Sequence, residues 1–104
     1  MSRKIVDLHP EAIAEGREAR QWYLSRSTQA EEAFRRELER AIRLIRDTPK
    51  TWPRYLHGTR RVVLTGFPYS IVYTTDGSYS LVLAIAHAKR KPGYWKKRSE
   101  LPGR

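Results

Sequence analysis

A chain of 104 residues, 39% hydrophobic and 31% charged, has the length and composition of one globular domain, 1–104, rather than a disordered or membrane-embedded protein. It has no cysteine, which removes disulfides and thiolate metal sites, and no apolar signal region at its start, so a cytoplasmic protein without metal or cofactor is expected. The net charge is +10, with 12 basic against 9 acidic residues through residue 58 and 9 against 2 from residue 59 onward, a bias that favours polyanions or an acidic protein partner.

Residues 4–8 (KIVDL) read as a short strand, and Pro10 suits the first turn of a helix. That helix runs from Glu11 to about Ser25, with Ala12, Ala19, Trp22 and Tyr23 at helical spacing and Gly16 weakening it slightly. Ser27 or Thr28 caps a second helix, with Glu31 at capping-box distance from Thr28. In this second helix Phe34, Leu38, Ala41 and Ile45 form an apolar stripe, widened by Ala30, Ile42 and Leu44. Glu31 with Arg35, Glu32 with Arg36 and Glu39 with Arg43 are favourably ordered pairs one turn apart, which accounts for those arginines as a solvated face. Joined by so few residues, the two helices should form an antiparallel αα-hairpin.

Thr48-Pro49 ends the second helix, and Trp52-Pro53 begins an irregular linker to Gly58. The pattern then becomes that of strands. Arg61–Thr65, Tyr69–Thr75 and Tyr79–Ala86 are rich in Val, Ile, Leu, Thr and Tyr, separated by Gly66–Pro68 and by Asp76-Gly77, a type I′ hairpin signal. Tyr69, Ile71 and Tyr73 alternate as on a half-buried strand, whereas Leu81–Ala86 is continuously apolar, as in a central one. The expected fold is α+β: an N-terminal strand, the antiparallel αα-hairpin, then a three-stranded antiparallel meander that the first strand joins. The hairpin would cover one sheet face and leave the other partly open.

A basic segment closes the chain at about 88–104. Its Lys89, Arg90, Lys91, Lys96, Lys97 and Arg98 are interleaved with Tyr94 and Trp95. Such a mixture can hold a phosphate backbone and stack on bases; alternatively, Tyr94 and Trp95 fold back as anchors while the lysines stay solvated. With Arg60 and Arg61, where the first meander strand begins, these eight residues are the candidate surface for a target protein or nucleic acid. His87, at a strand end, is more often a structural hydrogen-bonder than a catalyst. His9 and His57 fall in loops without an evident partner, and three scattered histidines make no metal site.

The segments WPRYLHGTRRVVL (52–64), FPYSIVY (67–73) and VLAIAHAKRKPGYW (82–95), in this order in a basic chain of this length, resemble the RelE/ParE toxin family over nearly the whole sequence. The resemblance implies the toxin of a type II toxin–antitoxin system, held inactive in a hetero-oligomer by a cognate antitoxin that wraps its working surface. RelE-like members cleave mRNA within the ribosome, using clustered Lys and Arg plus a C-terminal Tyr; ParE-like members poison DNA gyrase through a protein contact. RNA cleavage needs an activated 2′-hydroxyl, a stabilised phosphorane and a protonated leaving oxygen.

Position by position, the RelE-like pattern puts an arginine after the aromatic that opens the middle meander strand, where this chain has Ser70. Of two basic positions on the preceding strand, Arg61 matches one and Val63 occupies the other. Were the chain a nuclease, its candidate catalytic set would be Arg61, His87, Lys89, Arg90 and Tyr94. The run His87, Arg90, Pro92, Trp95 resembles the ParE-like side. A ParE-like toxin acting on DNA gyrase is therefore the expected function. The alternatives are a RelE-like endoribonuclease, with ribosome and mRNA as partners, and a non-toxic basic nucleic-acid-binding domain. The antitoxin is expected beside the helical hairpin, on the basic sheet face, or paired to the edge of the first or last strand.

Overall fold

The first helix begins where the chain supplies a cap: His9 Nδ1 accepts the Glu11 N–H at 3.0 Å and Pro10 fills the first helical position. The computed structural model describes residues 4–99. In chain order they form β1 (Ile5–Leu8), α1 (Pro10–Leu24), α2 (Thr28–Asp47), β2 (Arg60–Val63), β3 (Tyr69–Asp76) and β4 (Tyr79–His87), with single helical turns at Leu56–Gly58 and Lys96–Ser99. Residues 100–104 of the basic segment lie outside the described residues.

Ser27 caps α2, its hydroxyl accepting the Ala30 N–H at 3.0 Å. Thr28 is thus already helical, and the expected Thr28–Glu31 box does not form; Glu31 pairs with Arg20 and Arg35 instead. Phe34, Leu38, Ala41 and Ile45 are all buried, as their spacing requires. On α1 the inward stripe is Ala12, Gly16 and Ala19, continued by Tyr23, whose ring stacks on Phe34 at 4.9 Å. Trp22, expected in this stripe, points away and is 51% exposed under the Arg26 guanidinium. Adjacent helical residues diverge by about 100°, so Trp22 and Tyr23 cannot share a buried face.

The helical hairpin packs on a four-stranded sheet of order β1-β4-β3-β2. The meander is antiparallel, and β1 joins it parallel to β4, Ile5 opposite Tyr79 and Leu8 opposite Val82. The first half of the last strand, Tyr79–Val82, is therefore interior rather than an edge, and Leu81–Ile85 is buried on both faces. At the β3–β4 turn, Asp76 pairs with Tyr79, leaving Gly77-Ser78 as the loop. Positive φ falls on Gly77 alone, the pattern of a type II′ rather than the expected I′ turn.

A bulge in β4 sets the side-chain directions. Val72 pairs with Ala84 but Tyr73 pairs with Val82, so Leu83 is the extra residue. Val82 and Ile85 consequently both reach the core beneath the helices, while Leu83 and Ala84 both belong to a second cluster with Val72 and Trp95.

That second cluster shows how much of the partly open face is covered. Trp95 is 1% exposed and, with Tyr55, covers Leu83 and Ala84. Nor is the linker irregular throughout. The Tyr55 N–H donates to Thr59 O at 2.7 Å and the Arg61 N–H to Pro53 O at 3.1 Å, so residues 53–55 pair along the outer edge of β2. The reversal is made by His57 and Gly58, at φ 59° and 72°.

Candidate functional site

Strand alternation and the bulge together decide what the second face presents. From β2 it presents Arg61 and Val63, from β3 Ser70 and Val72, and from β4 Ala84 and Ala86. The chain after β4 then folds over this face and leaves a groove of about 170 Å³, lined among others by Tyr55, Arg61, Ser70, Ala86, Arg90 and Tyr94. The Arg61 guanidinium lies 4.1 Å from the centre of the Tyr55 ring, and that of Arg90 lies 3.8 Å from the centre of the Tyr94 ring. Val63 and Ser70 are direct cross-strand partners. The two positions that depart from the RelE-like pattern are thus neighbours on one face, and neither carries charge.

Tyr94 turns its hydroxyl out of the groove, donating to Glu15 Oε2 at 2.7 Å. Burial first, and the Glu15 contact second, hold this phenol neutral well above its usual range. Glu15 also receives two bonds from Arg98: Nη1 to Oε1 at 3.0 Å and Nη2 to Oε2 at 2.9 Å. Side-chain exposure in this pair is only 15% for Arg98 and 11% for Glu15.

The location of the pair explains its existence. β1 stops opposite Val82, leaving the next stretch of β4 without a strand on that side. There the Ile85 N–H donates to Glu15 Oε1 and Arg98 Nη1 donates to the Leu83 carbonyl, each at 3.0 Å. An ion pair thus satisfies the backbone that β1 does not reach. It also clasps α1 to the C-terminal segment around the sheet edge.

Glu15 is not among the residues picked out from the sequence, although its position carries a signal. Ala12, Glu15, Gly16 and Ala19 stand at the spacing of one helical face, so a carboxylate lies within a stripe of small buried residues. Such a carboxylate requires internal donors.

The remaining candidates separate by position. His87 Nδ1 accepts the Lys89 N–H at 3.0 Å and its ring stands edge-on to Tyr69, so this nitrogen caps the turn after β4. Arg60 faces the other way, donating to the Trp52 carbonyl at 2.7 Å. Trp95 is core, and Arg98 belongs to the clasp. Lys89, Arg90, Lys91, Lys96 and Lys97 are exposed. The other two histidines also have partners: His9 caps α1, and the His57 ring packs against Trp95 at 5.8 Å.

The helical hairpin on a β1-β4-β3-β2 sheet defines a fold class shared with a solved structure titled "Chromosomal ParDE TA system from P. aeruginosa". The match has a TM-score of 0.71 at 14% identity and covers 83% of this chain and 97% of that one. The family model for the ParE toxin of the type II toxin-antitoxin system, parDE, matches residues 6–92, and the chain belongs to this family. A search of curated proteins returns no significant match.

Proposed function

We propose that this toxin inhibits growth in the cytoplasm through a ParE-like protein contact with DNA gyrase, and that a cognate antitoxin neutralises it. The observation that carries this reading is the second sheet face, where Val63 and the groove-lining Ser70 oppose each other at places an RNA-cleaving relative would fill with cations. The cations of the groove are Arg61 and Arg90, each lying on a tyrosine ring, and Lys91. The Tyr94 hydroxyl is engaged by Glu15 and His87 Nδ1 by the chain itself, so neither atom is free to move a proton at the groove.

For the antitoxin, the supporting feature is a second groove of about 420 Å³ between α1 and the end of β4, lined by Trp22, Tyr23, Tyr69, His87 and Arg90 among others. Exposed Trp22 offers an apolar anchor there. His87 and Arg90 line both grooves, so an antitoxin segment seated along α1 would reach the working surface.

Induction in a bacterial host tests the gyrase reading. Filamentation and a DNA-damage response are expected, without new mRNA 5′ ends inside codons. The double variant His87→Ala/Arg90→Ala should produce no change in mRNA integrity relative to the unmodified toxin, because no cleavage is made in either case. Codon-internal mRNA cleavage that this double variant abolishes would establish the nuclease instead.

A further inference from the structure

The positive surface does not end at the groove. A second depression, lined by His57, Lys91, Pro92, Gly93, Tyr94, Lys96 and Lys97, shares Lys91, Pro92 and Tyr94 with the first, and no carboxylate lines either. Arg61, Arg90, Lys91, Lys96 and Lys97 therefore form one continuous basic surface. The contrast with α2 is direct. There Arg35, Arg40 and Arg46 are paired with Glu31, Glu37 and Asp47, whereas among the described residues these five cations form no ion pair.

These cations also stand on a fixed frame. Trp95 is inserted into the core, Arg98 is clasped by Glu15, and Gly93, at φ 86°, approaches the His57 ring so closely that a Cβ there would lie 3.0 Å from Nε2. The lysines thus project from an anchored ridge.

We propose that this ridge docks the phosphate backbone of duplex DNA, independently of sequence. The aromatic residues decide between duplex and single strand. Binding of single strands draws on rings free to stack with bases, and here Trp95 is buried, Tyr55 lies under Arg61 and Tyr94 lies under Arg90. Among the described residues the remaining ring on the ridge is the exposed His57, which packs edge-on against Trp95, so attraction rests on cations meeting phosphates, and a duplex presents these most densely. Among the described residues, the helical elements on this surface are the single turns Leu56–Gly58 and Lys96–Ser99, too short to lie along the major groove and read base edges, so no sequence preference is expected.

The proposal does not depend on gyrase being the target. Anisotropy of a short labelled duplex, titrated with the full chain across roughly 50–200 mM salt, tests it. Binding should weaken steeply with salt. The variant Lys91→Gln/Lys96→Gln/Lys97→Gln should reduce the log–log salt slope by about 2–3 and weaken binding at low salt, while Lys91→Arg/Lys96→Arg/Lys97→Arg keeps both. Thermal unfolding of the glutamine variant should match the parent, since all three side chains are exposed. No duplex binding at low salt, a slope unmoved by the glutamine variant, or tighter binding to a single strand of equal length would overturn it. Pull-down of gyrase without DNA is scored separately, so either contact can fail while the other stands.

Discussion

Glu15 satisfies four donors at once: two from Arg98, the Tyr94 hydroxyl and the Ile85 N–H. Its removal leaves a guanidinium and a backbone N–H in a nearly closed site. Glu15→Ala should therefore destabilise the protein by about 3–5 kcal/mol in urea unfolding, and Arg98→Ala by a similar amount. The double variant should cost clearly less than the sum, because either change alone already breaks the clasp.

The alkaline limb of stability rests on the tyrosines. Burial pushes Tyr73 up to about 12, and Tyr94 is raised as well. A folded-state value above the unfolded one means stability is complete below about pH 10 and falls as pH rises through the folded values. Tyrosinate absorbance should accordingly show Tyr73 and Tyr94 ionising latest, after Tyr23 and Tyr69, which burial also raises, with Tyr94 advanced by Glu15→Ala, which removes the carboxylate that holds its proton on.

Acid works in the opposite sense. Glu37 is held below the usual carboxylate range chiefly by its bond to Arg40, helped by the Thr65 N–H. Its contribution is present above roughly pH 4 and is lost as pH falls further. Glu37→Gln should flatten that part of the acid limb.

At the scale of elements, the C-terminal segment is the surprise and Trp95 its anchor. Trp95→Ala should cost about 3–5 kcal/mol and raise hydrogen exchange selectively across residues 88–99. Gly16 is the matching contact on the other face. A Cβ there would come within 3.0 Å of Ile85 Cδ1, so Gly16→Val should cost about 2 kcal/mol through overpacking rather than stabilise α1.

Both features show why some elements are legible in the sequence and others are not. The α2 stripe, the apolar run of β4 and the turn glycine come from local spacing, which propagates directly into burial. The bulge at Leu83 and the cover over the second face depend on contacts between distant segments. No local period records those. In the basic segment the anchoring alternative is what the structure shows: Trp95 folds back, while Lys91, Lys96 and Lys97 stay in water.

For the whole molecule, unpaired positive charge and exposed apolar surface gather in different places. Basic groups that form no ion pair among the described residues gather over the second sheet face and the turn beyond it, whereas exposed apolar side chains such as Ile13, Trp22 and Leu24 belong to α1. Trp22→Ser should leave stability within about 0.5 kcal/mol, as for an exposed site, yet weaken capture by the antitoxin in a titration calorimeter. The site is legible only in part. Arg61, Val63 and Ser70 can be picked from the sequence, but their convergence on one face needs the strand register, and the engagement of Tyr94 needs Glu15.

The most direct test of the central claim is a supercoiling assay with purified DNA gyrase, relaxed plasmid and the purified chain. The account predicts a dose-dependent loss of supercoiling, relieved by adding the antitoxin. Unchanged supercoiling at a large molar excess of folded toxin would contradict it.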